Sequence, residues 1–235
     1  MDWSRAKTIL IYSFLLLNLM LGYELWANEW DFSLSRSEAA VITEEMQRIM
    51  ESKGIRIDTA IPKEVPKLRE IVAAEEDSKR KTDTITLSPP IKYTRGDGKG
   101  MPTDALRRAI GNFSQYQLDP ILTGSGRLVM NQMFGSFPIF EMQLVLWVED
   151  GRITAYRQDF STLESNLNGQ EQKVISAHTA VRSLLENYLP DGAVIRDIRL
   201  GYRGRYQLLL PSWRITLADG SIYYVNAFTG AVEAP

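Results

Sequence analysis

An unbroken apolar run near the start of the chain constrains its fold more than any other feature. From Thr8 to Trp26 it reads TILIYSFLLLNLMLGYELW, with no charge before Glu24. A helix of about 19 residues, rising ~1.5 Å per residue, spans roughly 28 Å, close to the hydrocarbon thickness of a bilayer. Arg5 and Lys7 precede the run, whereas Glu24, Glu29 and Asp31 follow it. That bias predicts a cytoplasmic N-terminus over 1–7, a transmembrane helix over 8–26 and everything beyond on the outer side of the cell membrane. A cleaved secretory signal is the competing reading. Such signals carry an apolar region of about 7–15 residues and end on small residues. The Leu25-Trp26-Ala27-Asn28 tract is too bulky for that cut.

Four residues in or just beyond this segment are candidate contact points. Trp26 and Trp30 suit anchoring at the membrane–water interface, where indole rings sit well. Asn18 places a carboxamide near the middle of an apolar helix, where it can hydrogen-bond a partner helix. Gly22 allows a neighbouring helix to approach closely. For Asn18 the competing reading is a tolerated polar residue bonded to water or to its own backbone.

Composition narrows the chemistry of the rest. The formal net charge is −2, so no basic surplus points to nucleic acid. Cysteine is absent, which removes thiolate zinc sites and thiol catalysis, and His178 is the lone histidine. No glycine pattern of a nucleophile elbow surrounds any serine. The expectation is a non-enzymatic chain with no metal and no cofactor. Glu44-Glu45 and Glu75-Glu76-Asp77 read as solvated faces, and Arg95-Gly96-Asp97 reads as the tip of a glycine-rich loop.

Beyond a linker over 27–35, an α+β domain is expected over 36–235, with antiparallel sheets packed against helices. Ser35 or Ser37 caps a first helix that stops near Gly54. Thr84–Leu87 reads as a short strand halted by Pro89-Pro90. A helix is expected from Thr103 or Asp104 to about Phe113. Leu128–Phe134, Ile139–Val148 and Ile153–Phe160 form a meander whose second hairpin turns at Asp150-Gly151. The clearest unit covers about 170–235. There a helix over 170–189 presents Ala177, Ala180, Val181, Leu184, Leu185 and Tyr188 on one face. Strands at Val194–Tyr202, Tyr206–Leu217 and Ser221–Phe228 follow it.

These segments, read in order, resemble the YycI (WalI) family. The Met-Asp-Trp start with its Leu17-Asn18-Leu19 core carries part of the likeness. Phe137-Pro138-Ile139-Phe140, Tyr156-Arg157-Gln158, Leu210-Pro211-Ser212-Trp213-Arg214 and Tyr223-Tyr224-Val225-Asn226-Ala227-Phe228-Thr229-Gly230 carry the rest. The 170–235 unit is separately similar to PepSY-type modules. The resemblance implies a single-pass membrane protein of a Gram-positive bacterium that acts with the related YycH protein. Together they adjust the sensor histidine kinase YycG (WalK), which controls cell-wall metabolism. Two other functions stay open on the residues alone. One is a receptor for a cell-wall fragment or polysaccharide, and the other is a propeptide-like protease inhibitor.

Overall fold

A computed structural model describes residues 11–20, 44, 46–74, 83–93, 101–166, 169–205 and 207–233. The chain divides into two units, residues 1–49 and 50–235. In the first, residues 11–20 are helical and expose their apolar side chains, Leu16 at 69 % among them. The remaining residues of the expected 8–26 span, with Gly22, Trp26 and Trp30, lie outside the described residues. Among the described residues, no helix is long and apolar enough to cross a membrane.

The second unit is built on a 12-stranded sheet. Its helical start closes at Gly54, whose φ of 66° is one a side chain rarely adopts. The chain then enters β1 (Arg56–Ile57), an extended stretch past Pro62 and Pro66, β2 (Lys67–Leu68) and β3 (Ile71–Ala73). β4 (Ile85–Lys92) runs through Pro89-Pro90 instead of stopping before them. Its partner is β8 (Arg152–Gln158), which it meets at Thr86↔Ala155 and again at Ile91↔Ile153, with an irregularity between. The prolines, which lack an N–H, sit in that irregularity of an edge strand, where no ladder bond is needed from them.

A helix over Thr103–Ala109 follows, shorter than expected. Ile110 is already extended, and Asn112 at φ 56° turns the chain into a 3₁₀ turn at Phe113–Gln115. β5 (Tyr116–Leu118), β6 (Arg127–Phe134) and β7 (Phe137–Glu149) come next. The β6–β7 turn needs only Gly135 and Ser136, so Phe137 and Pro138 join β7, opposite Phe134 and Met133. Asp150 and Gly151 both take positive φ, 46° and 71°, which a two-residue hairpin between twisted strands requires.

After β9 (Leu163–Ser165) and β10 (Gln172–Lys173) comes the second long helix, Ala177–Asn187. Ser176 sets its start: the hydroxyl accepts the Thr179 N–H at 3.1 Å, so the expected first turns are strand and loop instead. At its other end the Lys53 ammonium donates to the Leu185 carbonyl at 2.8 Å and to the Glu186 carbonyl at 3.2 Å, where the helix dipole is negative. β11 (Val194–Arg205), β12 (Leu208–Leu217), β13 (Ile222–Asn226) and β14 (Val232–Glu233) complete the sheet.

β7 joins two meanders. Its later residues, 143–149, lie between β6 and β8. Its first residues pair with β6 on one side and, through Ile139↔Tyr202, with β11 in parallel on the other. Residues 140–142 bulge out of the ladder with β6 and let the strand change neighbours. Each meander follows a helix and contains an Asp-Gly hairpin, Asp150-Gly151 or Asp219-Gly220. The 103–109 helix buries Leu106 in a core with Leu128, Leu144 and Ile153. The 177–187 helix buries Ala177, Ala180, Val181, Leu184 and Leu185 and contacts β12.

Candidate interaction site

β12 is apolar apart from Ser212, Arg214 and Thr216, and a guanidinium in a buried strand needs carboxylate partners. Arg214 has no exposed surface, and its Nη1 donates to Asp119 Oδ2 at 2.6 Å while Nη2 donates to Asp197 Oδ2 at 3.1 Å. Asp119 directly follows β5, beside the first meander, and Asp197 lies on β11 in the second. Asp119 also accepts from the Asn131 amide at 2.8 Å and from the backbone N–H groups of Ile121 and Leu122. Burial by itself raises a carboxyl, but hydrogen bonding and charge from Arg214, with Asn131 and Arg199, hold Asp119 below the usual carboxylate range. The Phe140 ring lies 4.9 Å from the guanidinium carbon of Arg214.

A second charged group lies farther along β11. Arg203 Nε donates to Glu141 Oε1 at 3.1 Å, its Nη1 donates to Glu233, and its guanidinium carbon sits 3.9 Å from the Tyr224 ring centroid. Burial pushes the Glu141 carboxyl up to about 7, against the pull of Arg203. Its side chain keeps 37 % of its surface, so solvent screens much of that effect.

Between these groups β11 has an open edge. β12 pairs with it along its length, whereas on the other side β1 reaches only Val194 and Ile195, and β7 only Tyr202. Among the described residues no strand pairs with that side of Asp197–Leu200. Cavities lie along this edge. One, of about 530 Å³, is lined by Arg199, Gln117, Asn131 and Ser136 together with Leu118 and Met133. The other, of about 170 Å³, is lined by Trp213, Ile198, Pro62 and Pro66. Glu64, Phe137, Arg199 and Leu200 border both. Arg199 stands beside Arg214 and Leu200 beside Trp213, so successive residues of β11 serve opposite faces.

Arg199 is the most available cation here. It lies 4.0 Å from Asp119 and 3.9 Å from Asp197, carboxylates that already hold Arg214 at shorter range, and 32 % of its side chain is exposed. The groove supplies hydrogen-bond donors and apolar walls, which is recognition chemistry.

The residues singled out from the sequence fall elsewhere. Asn18 donates from its side-chain amide to the Phe14 carbonyl, one helical turn back, at 2.9 Å. His178 is half-buried on the 177–187 helix. Among the described residues no three acidic or histidine side chains gather as a metal site would require. The 75–77 acids and the 95–97 triplet lie outside the described residues. Tyr202 and Trp213 are core residues, and the Trp213 indole donates to the Ile175 carbonyl at 3.0 Å. Tyr224 packs on Phe140 at 5.5 Å, on the face of Arg214. The network and the groove were not singled out from the sequence. The signal for the network was Arg214 itself, a charge alternating with apolar residues in a strand.

Among solved structures the chain is similar to the Bacillus megaterium YpeB C-terminal domain. The identity is 16 % and the TM-score 0.35, covering 83 % of this chain and 96 % of that one. No curated protein matches the sequence. The model of the YycI protein family matches residues 36–228, most of the chain, which therefore belongs to the YycI family.

Proposed function

We propose that this chain is a non-enzymatic, membrane-anchored regulator that acts with a YycH-like protein on the YycG/WalK sensor histidine kinase. The match of residues 36–228 to the YycI family carries this reading. The apolar run over 8–26 and its flanking charges support a single-pass anchor, with the N-terminus in the cytoplasm and the α+β domain outside. Regulation then works by differential binding: contacts made better with one kinase conformation than another shift the signalling population toward it. Transmembrane contacts through Asn18 and Gly22 and contacts of the outer domain both belong to the proposal.

Co-purification from membranes of full-length and anchor-deleted forms tests it. The full-length form is expected to retain both the kinase and the YycH-like protein. Retention of neither by either form would overturn the proposal.

A further inference from the structure

The open edge of β11 has the attributes of a site for an extended peptide. Alternate residues of Asp197–Leu200, those whose backbone groups point away from β12, face a gap that neither β1 nor β7 fills. An incoming strand there extends the sheet, and its side chains alternate between the two cavities that flank the edge. On one face its side chain meets Arg199, Asn131 and Gln117. On the other it meets Trp213, Ile198 and the rings of Pro62 and Pro66. Neither proline has an N–H, so the 62–66 wall is poorly suited to close the gap with a ladder of its own.

Charge selects the occupant. Asp119 and Asp197 are held by Arg214 at 2.6 and 3.1 Å, which leaves Arg199, a third exposed and lining both cavities, with only longer contacts to those carboxylates. A carboxylate there accepts a charge-assisted bond. Glu64 borders both cavities, and no described residue forms an ion pair with it, so a run of acids is disfavoured. We propose that the β11 edge at Asp197–Leu200 binds an extended segment of a protein partner by strand addition. One acidic side chain of that segment faces Arg199, and its apolar neighbour in sequence fills the cavity at Trp213. In naming a protein partner the proposal rests on the regulatory reading above; the site itself rests on the geometry.

Full-length protein in detergent, screened against a displayed library of random linear hexapeptides, provides the test. Enriched peptides are expected to share one acid next to an aliphatic or aromatic residue. Synthetic copies should slow hydrogen exchange at those amides of 197–200 that point away from β12. Arg199→Ala should weaken binding at least tenfold, with partial recovery in Arg199→Lys. Ser136→Trp, at an exposed turn on the rim of the larger cavity, should abolish binding without changing thermal unfolding. Enrichment no greater for the native chain than for Ser136→Trp overturns the site. So does binding that leaves exchange at 197–200 and the Arg199→Ala affinity unchanged. Kinase capture is followed in the same preparations. Capture without peptide binding sinks the strand-addition site and spares the regulatory reading. Peptide binding with the predicted dependence on Arg199, but without capture, does the reverse.

Discussion

Arg214 and Asp119 hold each other where neither touches solvent, and each half of the pair would be costly alone. Arg214→Ala leaves the Asp119 carboxylate buried without its main partner, an arrangement that destabilises by about 3–5 kcal/mol. Urea unfolding should show the midpoint falling accordingly; a change within error would mean that the pair contributes nothing. The pH dependence has a definite sign. Asp119 titrates lower folded than unfolded, so its contribution is present above the ordinary aspartate range and lost as pH falls through its depressed value. Unfolding free energy followed from pH 6 downward should therefore drop more steeply for the native chain than for Asp119→Asn. No local pattern announces this pair, because its members stand 95 positions apart and meet only once both meanders are in place. Arg214 could be recognised as a residue needing a partner, but not which partner.

At the scale of elements, turns were the most legible. Asp150-Gly151 offers two residues that accept positive φ, and the hairpin forms there. The apolar face of the 177–187 helix was readable from its spacing except for Tyr188, which caps the helix and is exposed, and the start was displaced by the Ser176 cap. Harder to read were elements shaped by neighbours distant in sequence. β4 passes its prolines because an irregularity tolerates them, and β7 changes neighbours at a bulge that no periodicity marks. Gly201 matters at that second junction. A Cβ there would stand 2.5 Å from the Pro138 carbonyl oxygen and 2.6 Å from the Phe140 ring. Gly201→Ala should cost about 1–3 kcal/mol by overpacking, with thermal unfolding as the readout. In the 11–20 helix, Asn18 already spends one amide hydrogen on Phe14, so its proposed role is to tune contacts and not to create them. Asn18→Leu is expected to weaken association with partner membrane helices by about 0.6 kcal/mol, roughly threefold. Unchanged crosslinking would remove Asn18 from the interface.

For the molecule as a whole, residues 50–235 should fold together. β3 pairs with β12, β1 with β11, and the Asp119–Arg214 bond joins the two meanders. A chain truncated after Gly169 loses β11 and β12 and with them the partners of β1, one edge of β7 and the cation facing Asp119. Such a chain is expected to lack a cooperative unfolding transition by circular dichroism; a sharp one would show that the first meander stands alone. The route into this unit also has a mechanical consequence. Tension arriving at residue 50 passes first to Lys53, which grips the end of the 177–187 helix, and then to β1, which runs parallel to β11. Both attachments belong to the second meander, so a pull from the N-terminal side loads it first. The first meander feels that load through the crosspiece of β7 and the buried ion pair.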